Sequence, residues 1–156
     1  MEPTVAREFL ADLRQWIGSD GGVLIGVDLH KPEALLNAAY NDASGVTAEF
    51  NLNILNAINR IAGADFDAER FSHRAIYNRQ LQRIEMHLVS DIPQTVKVNG
   101  SAIRFSKGET LHTENSYKYS LEDFNELIEA AGFSLQKSWL DEKQLFSVHF
   151  LAVSDR

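Results

Sequence analysis

A short apolar run, Val23-Leu24-Ile25-Gly26-Val27, places the strongest limit on the folds open to this chain. The run has no polar alternation, which predicts a strand buried on both faces, as in a parallel sheet covered by helices. Residues 3–17, which precede it, place apolar side chains on one helical stripe. The stripe consists of Val5, Phe9, Leu10, Leu13, Trp16 and Ile17. A helix, a tight loop and an apolar strand form half of an α/β unit, so the sequence predicts an α/β fold.

The hydrophobic period changes further along the chain. Residues 32–40 and 48–62 predict two helices, the second with Thr47 as its N-cap. From Phe71 the period becomes two, and Asn99-Gly100 is typical of a hairpin turn. Ser120 then begins a helix, with Asp123 in the capping-box position. Strands are predicted at 75–77, 84–89, 95–98 and 102–105, with a closing antiparallel pair at 133–139 and 145–153.

The charge balance and the absence of cysteine narrow the range of partners. The chain has 22 Asp and Glu against 15 Lys and Arg, a formal net charge of −7. Nucleic acids and anionic membranes bind clustered Lys and Arg, so neither is expected as a partner. Zero cysteines exclude a disulfide framework and thiolate chemistry, and they are typical of a reducing compartment. We therefore expect a cytoplasmic protein.

The usual catalytic and metal-binding motifs are missing from the sequence. GxSxG, P-loop and GxGxxG patterns do not occur, so no phosphate-binding loop or nucleophile elbow is expected. The histidines are scattered, and none forms a HxxxH or HxH pair, so we expect no metal site. They are His30, His73, His87, His112 and His149.

Two polar clusters are the candidate binding residues. The first, Thr113 to Tyr119, falls between a predicted strand and the last helix, where we expect a loop. Its Glu114 and Ser116, two positions apart, could bind a polar ring or an amine, or the segment could be a solvated loop with a helix cap. The second cluster could line a ligand cleft or form only a turn and a helix surface. It consists of Tyr40-Asn41-Asp42 followed by Thr47 and the series Asn51, Asn53, Asn56 and Asn59.

These clusters carry a family resemblance. The chain resembles the histidine-specific S-adenosylmethionine-dependent methyltransferases of ergothioneine biosynthesis in four ordered motifs, and the likeness runs from about residue 2 to 151. The motifs are the run from Tyr40 to Asn53, Asn59-Arg60 with Gly63-Ala64-Asp65-Phe66, the run from Arg83 to Leu88, and the run from Thr113 to Tyr119.

The resemblance implies a function and a set of binding residues. Members methylate the α-amino group of L-histidine to give hercynine. By position in the motifs, Tyr40 matches the residue that binds the amino-acid carboxylate, with Thr47 and Phe50 in the same pocket. Met86 matches a residue beside the imidazole, and Glu114 and Ser116 match the pair that hydrogen-bonds it. No general base is identified, so the catalytic residues stay unknown.

The resemblance also implies an architecture of which this chain is the C-terminal half. Residues 1–30 and 119–156 correspond to part of a Rossmann-like class I methyltransferase domain, with its last parallel strand and terminal antiparallel pair. Residues 31–118 correspond to an inserted α+β substrate-binding domain. The motifs that bind S-adenosylmethionine would lie in the N-terminal half, so none is expected in this chain, which is then expected to be inactive alone.

Two other functions stay open. The chain could be a non-catalytic module that binds a small amino acid or a partner chain, or it could belong to a methyltransferase for a different amine. If the N-terminal half is missing, the apolar strand at 22–28 lacks its neighbour on one side and leaves an uncovered sheet edge. Because such an edge is a template for association, we expect that the chain can dimerise through it.

Overall fold

The computed structural model describes residues 1–154, and the chain divides into two compact units. Unit 1 comprises Met1–Pro32, Arg79–Arg83 and Ser116–Arg156, and unit 2 comprises Glu33–Asn78 and Ile84–Asn115. The chain therefore leaves unit 1 after Pro32, passes through it again at Arg79–Arg83 and returns to it at Ser116. The assignment of residues 1–30 and 119–156 to a methyltransferase domain and of 31–118 to a substrate-binding domain stays a prediction.

Four helices and eight strands make up the described chain, which confirms a mixed α/β fold. In chain order they are α1 (Pro3–Ile17), β1 (Gly22–Asp28), α2 (Glu33–Tyr40), α3 (Val46–Ala62), a 3-10 turn (Ala68–Arg70), β2 (Phe71–Asn78), β3 (Arg83–Ser90), β4 (Gln94–Val98), β5 (Ser101–Phe105), β6 (Thr110–Tyr117), α4 (Leu121–Ala130), β7 (Phe133–Leu140) and β8 (Phe146–Val153). The bounds of α1 are those predicted from its apolar spacing.

Unit 1 contains a three-stranded sheet in the order β1-β8-β7. Both pairs are antiparallel, with Gly22 opposite Ala152 and Phe133 opposite Val153. Its apolar core consists of Leu10, Val27, Leu29, Phe124, Ile128, Ala131, Phe133 and Leu151, so α1, α4 and the sheet pack together. A Cβ at Gly26 of β1 would lie 2.6 Å from the end of the Phe146 ring, so a larger residue there would require this ring to move.

The expectation that β1 is buried on both faces is wrong. Val23, Ile25 and Val27 lie against the core on one face, whereas Leu24, which points to the other face, is 68% exposed. The predicted stripe on α1 is only partly covered as well: Leu10 is buried, whereas Val5, Phe9 and Trp16 are exposed. A parallel partner for β1, as a Rossmann-like sheet would supply, stays a prediction.

Unit 2 contains a three-stranded sheet in the order β2-β3-β6 and a separate β4-β5 hairpin. The hairpin turns at Asn99 and Gly100, whose φ angles of 48° and 79° are those that the Asn-Gly sequence predicts. Two apolar clusters fill this unit, one around Leu55, Phe66, Phe71, Leu88, Val96 and Phe105, the other around Leu36, Ala75, Ile84 and Met86. None of the helices described in either unit is long and apolar enough to cross a membrane.

The two helix caps predicted from sequence have different outcomes. The capping box of α4 is confirmed, since the Ser120 hydroxyl accepts from the Asp123 N–H and the Asp123 carboxylate accepts from the Ser120 N–H. Thr47 as the N-cap of α3 is wrong. The cap residue is Gly45, and α3 begins at Val46, so Thr47 lies inside its first turn.

Candidate functional site

The polar run from Thr113 to Tyr117 belongs to β6 and is not the loop predicted from its composition. Pairing with β3 accounts for this, and the Thr113 hydroxyl lies 2.9 Å from the Met86 carbonyl of that strand. Side chains alternate along a strand, so Glu114 and Ser116 share one face of β6. Glu114 is exposed and Ser116 is half-buried.

A buried ion network in unit 1 fixes the end of β6. The Lys118 ammonium, whose side chain is 0% exposed, lies 2.6 Å from Asp28 Oδ2 and donates to Ser116 Oγ at 2.6 Å. Lys31 contacts the other Asp28 oxygen at 2.5 Å. Backbone bonds join the same segments, since the Tyr119 N–H donates to the Asp28 carbonyl. The network therefore ties Ser116 to the end of β1.

A cavity of about 450 Å³ opens in unit 1 beside this network. Pro3, Arg7, Tyr117, Tyr119 and Asp123 are among its lining residues. Burial, and then the neighbouring Tyr117, raises the pKa of the Tyr119 phenol, so this hydroxyl stays protonated and can donate. Sequence reasoning did not select the two tyrosines, although their place directly after Ser116 in the same motif was the available signal.

Tyr40 and Met86 come together in unit 2. Met86 is 2% exposed and belongs to the apolar cluster against which Tyr40 packs. The Tyr40 carbonyl contacts His73 Nε2 at 2.8 Å, and His73 Nδ1 contacts the Asn51 amide at 2.9 Å. Because the carbonyl can only accept, Nε2 carries the proton and Nδ1 accepts from Asn51. This chain of hydrogen bonds fixes the last residue of α2.

Thr47 and Phe50 lie on the first turns of α3, where Phe50 is 62% exposed. The Asp42 side chain takes the place of an N-cap: Oδ2 accepts from the Val46 N–H at 3.0 Å and Oδ1 from the Thr47 N–H at 2.9 Å. The Ser44 hydroxyl donates to the same carboxylate. The bonds from Ser44, then Thr47, lower the pKa of Asp42 far below its usual value. The carboxylate therefore holds the first turn of α3 in its ionised form.

This cap predicts a pH-dependent difference between the wild type and Asp42→Ala. The lowered pKa means that the folded chain binds fewer protons here than the unfolded chain. The stabilisation is therefore complete above the usual pKa of 3.8 and is lost as the pH falls through the folded value. Thermal unfolding at pH 7 should show a lower midpoint for Asp42→Ala, and the gap should narrow in strong acid. A gap that stays constant down to strong acid would contradict the assignment.

The six predicted binding residues thus lie in three groups. Tyr40 and Met86 share an apolar cluster, Thr47 and Phe50 share the start of α3, and Glu114 and Ser116 share a face of β6. Within residues 1–154, no described hydrogen bond or ion pair of the Glu114 side chain joins it to the other groups. Their roles in binding stay predictions.

One cluster of possible metal ligands in unit 2 was not predicted from the spacing of residues in the sequence. Glu85, His87 and His112 offer one ligand atom each within 4.8 Å of one another, although the two histidines are 25 positions apart in the chain. Pairing of β3 with β6 brings them together. The expectation of no metal site rested on sequence spacing alone, which cannot detect residues that adjacent strands bring together.

Comparison with known proteins gives consistent matches. A family model described as histidine-specific methyltransferase, SAM-dependent, matches residues 1–153. The chain is 37% identical over 154 residues to the histidine N-alpha-methyltransferase of Mycobacterium tuberculosis, covering 97% of this chain and 48% of that protein. It is 37% identical over 143 residues to the enzyme of the same name from Mycolicibacterium smegmatis, covering 90% and 44%.

A more distant relative carries a different substrate in its name. The chain is 28% identical over 125 residues to an L-tryptophan methyltransferase of Psilocybe serbica, covering 78% of this chain and 34% of that protein. In all three cases the chain spans half or less of the relative's length. Because the family model covers nearly the whole chain, this chain belongs to the SAM-dependent histidine-specific methyltransferases.

Proposed function

We propose that this chain supplies the substrate-binding half of a methyltransferase that acts on the α-amino group of L-histidine, as in hercynine formation. The observation that carries the proposal is the family match over residues 1–153, with 37% identity to a histidine N-alpha-methyltransferase. The chain spans about half the length of that relative, so activity is expected only with a second half.

Glu114 and Ser116 suit a neutral imidazole, which has one N–H and one nitrogen lone pair. The Glu114 carboxylate accepts from the N–H in a charge-assisted bond. Ser116 Oγ accepts from the Lys118 ammonium, and we assign the Ser116 hydroxyl to the other ring nitrogen. An indole offers one N–H and no nitrogen lone pair, so it could satisfy Glu114 but would give Ser116 no acceptor, at a cost in affinity.

Asp28 does not fit the role of a contact to S-adenosylmethionine. An acidic side chain at the end of a Rossmann strand usually binds the ribose hydroxyls, and Asp28 occupies such a place at the end of β1. Both Asp28 oxygens are paired with lysines instead, Lys31 on one and Lys118 on the other. We therefore assign to this chain the binding and orientation of the amino acid, with Tyr40 at its carboxylate, and expect the cofactor in the second half.

Titration of the purified chain with L-histidine tests the substrate assignment. We expect saturable binding that Glu114→Ala weakens at least about tenfold, the effect of losing one charge-assisted hydrogen bond. Glu142→Ala, which removes a carboxylate from an exposed turn, is the matched control and should bind as the wild type does. Equal affinity of Glu114→Ala and the control would contradict the role of Glu114, and tight binding of S-adenosylmethionine would contradict the division into halves.

Mixing the chain with the part of the Mycobacterium tuberculosis relative that it does not match tests the whole proposal. We expect methyl transfer to histidine to appear only in the mixture. Trp16 is 78% exposed on α1, so its emission should shift to shorter wavelength if the added half covers that helix. Self-association through the free edge of β1 would instead give a shift that depends on the concentration of this chain alone.

The same mixture separates the other two functions. Histidine binding without methyl transfer by the mixture would favour a non-catalytic amino-acid-binding module. Faster turnover of L-tryptophan than of L-histidine would favour a methyltransferase for a different amine, for which the Psilocybe serbica relative is the supporting observation.

A further inference from the structure

We propose that Glu85, His87 and His112 form a binding site for a divalent transition-metal ion in unit 2. Their ligand atoms all lie within 4.8 Å of one another. None of the three is among the residues assigned to the amino-acid substrate, so the proposal is independent of the proposed function.

The sheet brings the three side chains to one place. Glu85 and His87 are two positions apart on β3 and therefore share a face of that strand. His112 lies on the adjacent strand β6, and its ring stacks on that of His87 with centroids 4.6 Å apart and planes inclined by 28°. Glu85 Oε2 lies 3.6 Å from His87 Nε2. Two imidazoles and one carboxylate therefore converge across two paired strands.

Neighbouring amides orient two of the three ligands. His112 Nε2 contacts the Asn115 amide oxygen at 2.8 Å and the Glu114 backbone carbonyl at 3.2 Å. Both partners accept, so Nε2 carries the proton and Nδ1 presents the lone pair that a metal needs. The Asn78 amide donates to Glu85 Oε1 at 3.0 Å, which orients the carboxylate. Bonds of this kind commonly orient metal ligands in proteins.

His87 supplies the observation that points to a ligand. Both of its ring nitrogens are buried and have no hydrogen-bond partner, and its side chain is only 15% exposed. A buried polar group without a partner costs free energy, which a metal bound to one nitrogen would offset.

The donor set selects the class of ion. Two nitrogens and one oxygen suit Zn²⁺ and its first-row neighbours, whereas Mg²⁺ and Ca²⁺ require oxygen ligands. Three protein ligands leave one tetrahedral position for water. Zinc-ligand bonds of about 2.0–2.2 Å put ligand atoms roughly 3.4 Å apart in a tetrahedron, so binding would draw the side chains inward and open the imidazole stack.

Titration of the chelator-treated full chain with Zn²⁺ against a chromophoric chelator tests the site. We expect one ion per chain, no competition from Mg²⁺, and Co²⁺ absorption bands of tetrahedral coordination. His112→Ala and His87→Phe should each weaken Zn²⁺ binding at least about tenfold, by analogy with the loss seen even for residues that only support ligands. His30→Ala, which removes a histidine of unit 1, is the control and should bind normally.

The variants also separate loss of binding from loss of fold. His112 is exposed, so His112→Ala should unfold at the wild-type temperature without metal. His87→Phe keeps the ring stack and removes two unpaired nitrogens, so it should unfold at the same or a higher temperature. The proposal is overturned if Zn²⁺ does not bind the wild type, or if either folded variant binds it as tightly as His30→Ala does.

Discussion

Replacing Asp28 with asparagine should lower the free energy of unfolding by about 3 kcal/mol, the low end of the cost of breaking a buried ion pair. Asp28 is the carboxylate that pairs with Lys118, whose side chain is 0% exposed. Asparagine has nearly the same size but no charge, so the substitution removes a counterion of the buried ammonium. Urea unfolding monitored by circular dichroism measures the difference.

The opposite substitution should cost less. In Lys118→Met, Asp28 keeps Lys31 at 2.5 Å and remains 28% exposed, so the remaining charge is both paired and hydrated. The double variant Asp28→Asn, Lys118→Met should be more stable than Asp28→Asn alone. Asp12→Asn on the exposed side of α1 is the matched control and should change stability by less than about 0.5 kcal/mol. Equal losses for Asp28→Asn and Asp12→Asn would show that the network does not stabilise unit 1.

Asn51→Ala should also destabilise the chain by about 3 kcal/mol, because several buried hydrogen bonds lose their partner at once. Asn51 is 0% exposed. Its amide nitrogen contacts His73 Nδ1 at 2.9 Å and the His87 carbonyl at 3.2 Å, and its oxygen accepts from the Thr113 hydroxyl at 2.7 Å. One side chain on α3 therefore satisfies groups on β2, β3 and β6.

The control for this prediction lies on the same helix. Asn53→Ala removes an identical side chain from an exposed position of α3, and alanine is the better helix former, so stability should be unchanged or slightly higher. Because His73 also contacts the Tyr40 carbonyl, Asn51→Ala should in addition weaken L-histidine binding if Tyr40 binds the substrate carboxylate. A loss of stability no greater than that of Asn53→Ala would contradict the assigned network.

Patterns within a few residues of sequence correctly predicted the structural features that such short segments determine. The bounds of α1 follow from apolar spacing, the cap of α4 from Ser120 and Asp123, and the hairpin turn from Asn99-Gly100. The cap of α3 could not be predicted in this way. The Asp42 side chain reaches the Val46 and Thr47 N–H groups from upstream, so the best capping residue by type, Thr47, lies inside the helix.

Neighbouring segments of the folded chain determined two features that the amino-acid composition predicted wrongly. The run from Thr113 to Tyr117 is polar, but β3 supplies hydrogen-bond partners for it and makes it a strand. The apolar centre of β1 has the composition of a buried strand, yet Leu24 is exposed. Its burial would require another segment to pack on that face of the sheet. Hydrophobicity records a preference for burial, whereas the neighbours of a strand determine whether it is buried.

The sequence by itself determined the family, because the ordered motifs from Tyr40 to Tyr119 can be recognised without a structure. It also predicted six residues that bind the substrate. Only the tertiary structure showed which polar groups are paired. It buries Lys118 against Asp28, surrounds Asn51 with acceptors and donors, and brings His87 and His112 together across two strands. The physical reason is that strand pairing and burial join residues far apart in the chain, and the cost of an unpaired polar group depends on that burial.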